Sequence, residues 1–564
     1  MDRRDAILPL PAARGIGTQL RLPHDPWSLS ALAVALALSV PIVVVLASVL
    51  APAGDIWNHL AATVLPSYIA NSLWLMLGVG MGVAIIGVAT AWLVTMTEFP
   101  GARWLDWMLL LPLAFPAYLI GYTYTGLFDF AGPIQTALRA IFGWTKSDYW
   151  FPEIRSLGGV IAMLVFVLYP YVYLLTRAAF VNQSVCALEV SRTLGRGPWR
   201  SFFTVALPLA RPAIVAGVAL ALMETLSDFG TVQYFAVDTF TTGIYRTWLG
   251  LGEPIAAAQL AAILLIFVFA LFWLERWSRG DRRFHHNSAY YRRLPTRRLA
   301  GGRAALAFTA CALPVLLGFI VPAIALVVWT ADNLELALST PFFNLARNSV
   351  LLAAVAAMLA VLVALPIAYG LRLHRGPVTS FAARIVSLGY AVPGAVIAVG
   401  VMLPFIWIDT RVDAFMRTTF GVSTGLVLSG TLAAVIFGYL VRFLSVALNA
   451  TEAGLAKVTR NMDGAARTLG AGPTETIARV HAPLVGGSLL AAGALVFVEV
   501  MKELPATLLM RPFNFDTLAV RTYQLASDER LAEAAAPALA IVVAGIIPVI
   551  LLSRALARSR PGHG

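Results

Sequence analysis

Residues 192–198 read RTLGRGP, and 275 residues later residues 467–473 read RTLGAGP, so that six of the seven positions are identical. At the same offset, Glu224 aligns with Glu499. Further pairs at offsets of 275 to 277 residues are Asn71 with Asn348, Pro116 with Pro393, Pro208 with Pro483, and Arg246 with Arg521. A register that holds across roughly 180 residues of each half indicates an internal repeat and not a local coincidence.

The composition places this repeat in a membrane. Of 564 residues, 59% are apolar and 12% are charged, whereas charged residues make up roughly 25% of ordinary soluble domains. A bilayer core of about 30 Å needs about 20 apolar residues per helix. Twelve segments meet that length and are predicted to span: 28–50, 70–96, 104–128, 157–180, 212–231, 255–275, 304–329, 348–371, 384–408, 424–448, 485–504 and 535–556.

Six predicted spans fall in each half, and this number fixes how the halves are related. Because six is even, both halves enter the membrane in the same direction, which gives a parallel repeat with a pseudo-two-fold axis along the membrane normal. A cytoplasmic N-terminus puts about 30 Lys and Arg residues on the cytoplasmic side and about 11 outside, as the positive-inside rule requires. The sequence therefore predicts an all-α polytopic membrane protein with both termini in the cytoplasm.

This assignment divides the chain into six regions. They are a cytoplasmic tail and first span at 1–66, a first repeat at 67–275 with a long loop at 182–211, an Arg-rich cytoplasmic linker at 276–303, a seventh span and external loop at 304–344, a second repeat at 345–556 with a long loop at 449–484, and a cytoplasmic tail at 557–564. The net charge of +12 lies mostly in short loops between apolar runs, which is typical of topology signals and excludes a nucleic-acid-binding role.

The two long loops lie on the predicted cytoplasmic side and carry the repeated string. Each is predicted to hold a short polar helix that ends at a glycine in the left-handed conformation, Gly195 in the first loop and Gly470 in the second. A short helix with polar and apolar faces can dock into a groove on another protein. The alternative is a pair of loops that only cap the helix bundle, but capping gives no reason to repeat the same string.

The same residues resemble a known family. The stretch 189–195, EVSRTLG, followed by Leu207-Pro208, looks like the EAA loop of ABC importer permeases, in which a coupling helix sits in a cleft of the ATPase subunit. The second copy, 463–470, departs from the pattern because Gly464 aligns with Glu189 and the acid precedes it. The resemblance implies that the residues coupling the chain to an ATPase are Glu189, Arg192, Gly195, Asp463, Arg467 and Gly470.

Two further stretches, 222–248 and 499–528, resemble the fused permeases of ferric iron importers, which are similar to thiamine permeases. The resemblance implies a type I ABC importer permease fold in the bacterial plasma (inner) membrane. It also implies ferric iron as the substrate, delivered by an external binding protein, with thiamine or another small solute as the alternative. An ion-coupled secondary transporter also often has two parallel six-helix halves. That class, like a channel or a scaffold, leaves the two long cytoplasmic loops without a role.

The sequence supplies no motor for uphill import. A phosphate-binding P-loop needs Gly-Lys-Ser/Thr, and none of the three lysines, Lys146, Lys457 and Lys502, follows a glycine. We therefore expect a transport subunit that is not an enzyme and binds no cofactor itself. Two copies of a separate ATPase, one for each repeated loop, would bind ATP and Mg²⁺.

Charged residues inside membrane spans are costly and are functional candidates by default. Glu224 lies about 18 Å along the fifth predicted span, and Asp228 is expected one helical turn later on the same face. The second half repeats this pair with Glu499 and Glu503. The four acids are expected to meet near the central axis, where they either guide a cation or pair with arginines to close an outer gate; the candidate arginines are Arg246 and Arg521. Tyr169, Tyr171 and Tyr173 could add oxygen ligands, although ordinary packing is the favoured interpretation, and no firm metal site is predicted.

Overall fold

The computed structural model describes residues 26–52, 55–181, 197–279, 296–373 and 376–558. The helices before the linker are α1 (Pro26–Ala47), α2 (Ile56–Thr63), α3 (Leu65–Met96), α4 (Ala102–Met108), α5 (Ala117–Phe128), α6 (Pro133–Phe142), α7 (Leu157–Val181), α8 (Pro198–Ser201), α9 (Leu207–Ser227), α10 (Gly230–Tyr234), α11 (Phe240–Tyr245) and α12 (Pro254–Arg279). Short 3₁₀ or π turns lie at Ser48–Leu50, Leu111–Ala114, Phe202–Ala206 and Arg246–Gly250.

The helices after the linker are α13 (Gly302–Val315), α14 (Val321–Asp332), α15 (Leu334–Ala337), α16 (Thr340–Leu373), α17 (Pro377–Leu388), α18 (Gly394–Phe420), α19 (Leu432–Leu455), α20 (Arg460–Thr468), α21 (Pro473–Thr476), α22 (Ala482–Lys502), α23 (Pro505–Met510), α24 (Leu518–Ser527) and α25 (Leu531–Arg558). The 3₁₀ or π turns here are Leu316–Ile320, Gly389–Ala391 and Ile477–His481.

Within the described ranges, eleven helices are long and apolar enough to cross a membrane. The number is twelve if one helix pair that is bent by 92°, Ala102–Ala114 with Ala117–Phe142, counts as a single span. The bent pair coincides with the predicted third span, and the others coincide with the remaining predicted segments. The all-α class and the prediction of about twelve spans are therefore confirmed.

Two of the predicted spans are wrong as continuous helices, 104–128 and 384–408. Each is interrupted by a 3₁₀ turn, after which Pro116 or Pro393 adopts extended backbone and caps a new helix, α5 or α18. A proline has no N–H to donate to the preceding turn and its ring clashes with that turn, so a new helix starts more readily at a proline than an old one passes through it. The two prolines are aligned in the repeat, so both halves are interrupted at the same place.

The first helix of each half packs on the other half. Helix α1 lies against α16, α17 and α18, and the Trp27 ring meets the Tyr369 ring edge-to-face at 5.4 Å. Conversely, α13 and α14 lie against helices of the first half, where the Tyr124 hydroxyl donates a 2.7 Å hydrogen bond to the Leu317 carbonyl. This exchange ties the two halves together along the whole depth of the bundle.

The described end of the linker is attached to the cytoplasmic end of α3. Strand β1 (Thr97–Glu98) pairs in parallel with β2 (Arg297–Arg298), and the Leu299 amide donates a 2.9 Å hydrogen bond to the Glu98 carbonyl. The Glu98 carboxylate also accepts hydrogen bonds from Thr296 and Arg298. The rest of the Arg-rich linker, 280–295, lies outside the described residues.

Candidate functional site

The first group of candidate residues lies where α9 and α22 end. Glu224 and Glu499 lie in the last turn of their helices, but the prediction that Asp228 follows on the same helix face is wrong. Both α9 and α22 stop one residue before the second acid, and Asp228 and Glu503 have extended backbone. In each half, one acid is therefore on the long helix and the other begins the segment that follows.

The reason for this break is that the second acid caps the next short helix. Asp228 accepts hydrogen bonds from the backbone N–H of Thr231 at 3.1 Å and of Val232 at 3.0 Å. Glu503 Oε1 accepts one from the backbone N–H of Ala506 at 3.0 Å. A carboxylate that satisfies the free N–H groups at a helix start stabilises a new helix there.

All four acids line a single cavity of about 110 Å³ between the two halves. The same cavity is lined by two cationic side chains, Arg442 of α19 and Lys502 of α22. With every one of these side chains ionised, four carboxylates and two cations leave a formal charge of −2. The two halves thus contribute two acids each from aligned positions, whereas both cations come from the second half.

Each cation is paired with an acid of its own half. Arg442 Nη1 lies 2.9 Å and 3.1 Å from the two carboxylate oxygens of Glu503, and both side chains are more than 90% buried. Lys502 Nζ lies 3.1 Å from Glu499 Oε1 in a more exposed pair. A Cβ atom at Gly394 would lie 2.5 Å from Arg442 Nη1 and 2.6 Å from Glu503 Oε1, so the buried pair needs glycine at this position.

The arginines suggested by the sequence lie elsewhere. Arg246 pairs with Asp238 at 2.7 Å, and Arg521 donates a 3.5 Å hydrogen bond to Gln524. The arginine that reaches the acids is Arg442, which sequence reasoning missed because the repeat aligns it with Val167. A signal was nevertheless present, since Arg442 is a charged residue in the middle of a predicted span.

The tyrosines are divided between the cavity and the surrounding packing. Tyr171 lines the cavity, and Tyr173 instead donates a hydrogen bond to Asp106 at 2.8 Å. Tyr169 is fully buried away from the cavity lining. Tyr118 also lines the cavity, and its buried hydroxyl has no hydrogen-bond partner among the described residues. Among those residues, no group of three or more His, Cys, Asp or Glu side chains is placed to hold a metal ion.

The second group of candidates is the repeated cytoplasmic loop. In the second copy, α20 ends as the sequence predicts, with Gly470 in the left-handed region at φ +84°. The Gly470 N–H donates to the Arg467 carbonyl and the Ala471 N–H to the Ala466 carbonyl, both at 3.0 Å. These two bonds define a Schellman cap. In the first copy, Glu189, Arg192 and Gly195 lie outside the described residues.

The faces of α20 differ from the sequence expectation for its acid. Asp463 points inward, where it pairs with Arg372 of α16 at 2.9 Å and meets His481. Arg467, Gly470 and Leu469 are exposed, and Leu469 is 87% exposed, which is unusual for a leucine. The outward surface therefore consists of the repeated Arg-Thr-Leu-Gly string and leaves the acid inside.

The sequence matches a family described as "Binding-protein-dependent transport system inner membrane component" twice, over residues 83–282 and 358–561. It is 27% identical to the Fe(3+)-transport system permease protein FbpB 2 of Haemophilus influenzae, over 86% of this chain and 89% of that protein. One half, 34% of the chain, is 32% identical to 86% of the Molybdenum transport system permease protein ModB of Escherichia coli. A similar share, 33%, is 30% identical to 67% of the Sulfate transport system permease protein CysT of Escherichia coli.

Proposed function

Because this chain belongs to the family of binding-protein-dependent transport system inner membrane components and is an ABC importer permease with two fused domains, we propose that it carries ferric iron. The relatives that align over most of both chains are named for ferric or Fe(3+) transport, including those of Haemophilus influenzae and Actinobacillus pleuropneumoniae. In this proposal an external binding protein delivers the iron at the outer face. The chain then passes it through the bacterial inner membrane.

The observation that carries the proposal is the cavity into which four carboxylates converge from aligned positions of both halves. Fe³⁺ is a hard cation and favours oxygen ligands. The cavity offers carboxylate oxygens together with the phenolic oxygens of Tyr118 and Tyr171. Its formal charge of −2 attracts a cation even when Arg442 and Lys502 are both present. This environment supports passage of a trivalent cation between the halves.

The energy for import would come from a separate ATPase with its own ATP and Mg²⁺, bound in two copies at the two repeated loops. The Schellman cap at Gly470 and the exposed Leu469 support this role for the second loop, since they present a rigid helix end with an apolar tip. The charge distribution supports cytoplasmic termini and a cytoplasmic linker. Each of these elements then lies on the side where ATP is available.

A second candidate substrate is an oxyanion, because half-length relatives are named for molybdenum and sulfate transport. Arg442 and Lys502 could hold such an anion. However, both are already paired with carboxylates, and an entering oxyanion would meet two further acids, Glu224 and Asp228. The electrostatics of the cavity therefore favour a cation.

The test uses the complete importer, with its ATPase and binding protein, reconstituted in vesicles. We expect uptake of radioactive iron that excess molybdate or sulfate does not reduce. The variant that carries both Glu224→Gln and Glu499→Gln keeps side-chain size but removes two charges, so iron uptake should fall at least tenfold. Glu153→Gln, at an exposed position outside the cavity, is the control and should transport normally. Uptake of molybdate or sulfate in place of iron would refute the proposal, as would normal iron uptake by the double variant.

A further inference from the structure

Three side chains meet beneath the second cytoplasmic loop and form what is here named the cytoplasmic ion cluster: Arg372, Asp463 and His481. Arg372 Nε and Nη2 donate hydrogen bonds to Asp463 Oδ2 at 3.0 and 2.9 Å. His481 Nε2 lies 2.5 Å from the other carboxylate oxygen, Oδ1. His481 is fully buried, and the other two side chains are 14% and 17% exposed. Both oxygens of the acid are thus occupied from inside the protein.

The cluster joins three separate elements of the second half. Arg372 lies in the last turn of α16, Asp463 on α20, and His481 directly before α22. The Arg372 guanidinium also donates to the carbonyls of Leu455 and Val458, at 2.5 and 2.9 Å, where the chain leaves α19. A single guanidinium therefore fixes the position of α20 relative to the ends of two spans, and the histidine links α20 to a third.

The first half has no equivalent cluster in its sequence. At the repeat offset of 275 residues, Asp463 aligns with Leu188, His481 with Ala206, and Arg372 with Thr97. None of these three can form the ion pair or occupy the carboxylate. All three residues of the cluster are therefore particular to the second loop, as is the glycine that stands where the first loop has Glu189.

We propose that the cytoplasmic ion cluster is a rigid link that transmits movement of α20 to α22, and that Asp463 is a positioning residue and not a contact to the ATPase. Helix α22 has 21 residues, about 32 Å at 1.5 Å per residue, and its outer end carries Glu499 and Lys502 in the cavity. Displacement of α20 would reach the cavity through this helix. The inference rests on the proposed transport function, because the link matters only if α20 is moved by an ATPase.

Two physical features make the link stiff. The carboxylate and guanidinium are held in two charge-assisted hydrogen bonds with little access to water, a geometry that fixes orientation as well as distance. The His481 ring also packs edge-to-face on the Tyr369 ring, with centroids 5.2 Å apart, one turn before Arg372 on α16. If one charged partner is removed, the other is left partly buried without compensation, so the elements are expected to separate.

The test uses the complete reconstituted importer with Asp463→Asn and, separately, Arg372→Lys, which keeps the charge but loses the fork geometry. An environment-sensitive fluorophore is placed at Phe513, an exposed position near the outer end of α22, in a chain whose two native cysteines have been replaced. In the parent, ATP binding should change the fluorescence. In Asp463→Asn the ATPase should still copurify and hydrolyse ATP, while the fluorescence change falls at least fivefold. Arg372→Lys should retain an intermediate response.

The control is Glu98→Gln, which breaks another ion pair at the same membrane face, and its fluorescence change should equal that of the parent. Loss of ATPase copurification in Asp463→Asn would overturn the proposal, because Asp463 would then be a docking contact. An unchanged fluorescence response in both cluster variants would overturn it as well. The fluorescence readout does not depend on which substrate is carried, so failure of the ferric iron proposal would appear separately, as absence of iron uptake in the parent.

Discussion

Replacing Arg442 with methionine should destabilise the protein more than any other single change in the cavity. The substitution keeps an unbranched apolar stem but removes the charge that lies 2.9 Å from Glu503. Because the two side chains are only 8% and 5% exposed, the remaining carboxylate cannot recover its hydration. Breaking a buried pair in this way typically costs about 3–5 kcal/mol. The backbone N–H of Ala506 still donates to the carboxylate and reduces the loss only in part.

A double-mutant cycle isolates this effect. Glu503→Gln in the Arg442→Met background removes the uncompensated charge while the amide oxygen can still accept from Ala506, so the double variant should recover most of the lost stability. The measurement is thermal unfolding in detergent at a fixed scan rate, followed by tryptophan fluorescence. Lys502→Met is the control, since its pair with Glu499 is more exposed and should contribute about 1 kcal/mol or less. If the double variant melts no higher than Arg442→Met, the ion pair does not stabilise this fold as argued.

Gly394→Ala should cost about 1–3 kcal/mol, because its Cβ would lie within 2.6 Å of both members of the buried pair; the aligned Ala117 of the first half faces no such pair, so Ala117→Gly should not reproduce the loss of melting temperature. Gly470→Val places a β-branched residue at φ +84°, which costs about 1–2 kcal/mol and should weaken ATPase binding roughly tenfold, and unchanged copurification would contradict it. The hydrogen bond from Thr296 and the pairing with Arg298 lower the pKa of Glu98 below its usual range. Attachment of the linker is therefore fully present above the ordinary glutamate pKa and is lost as the pH falls through the lowered value; hydrogen exchange at the Leu299 amide should accelerate in that window, and Glu98→Gln should show no such pH dependence.

The sequence was sufficient for the features that depend on one-dimensional pattern. Spans follow from the length of apolar runs, and the repeat follows from the aligned strings. The left-handed cap at Gly470 follows from the glycine and the proline three residues beyond it. The four acids were found for the same reason, because a charge inside an apolar run is visible without knowing what surrounds it.

The features that escaped prediction depend on three-dimensional proximity. Asp463 matched a family pattern of exposed acids, and only the fold shows that the ends of α16 and α22 enclose it. Arg246 and Arg521 were suggested as partners because they repeat, yet the arginine that meets an acid, Arg442, does not repeat. Repetition identifies what the halves share. It gives no information on residues through which they differ.

That difference has a physical consequence for the cavity. A permease built from two identical half-length chains would place every residue twice around the axis, so an arginine and a lysine equivalent to Arg442 and Lys502 would each appear in both halves. Four carboxylates would then face four cations, and the cavity would carry no net charge. In the fused chain, Val167 occupies the position aligned with Arg442 and Ser227 the position aligned with Lys502, and the formal charge stays at −2. Fusion of the halves thus permits a cavity that is symmetric in its acids and asymmetric in its cations, and a cation substrate requires that asymmetry.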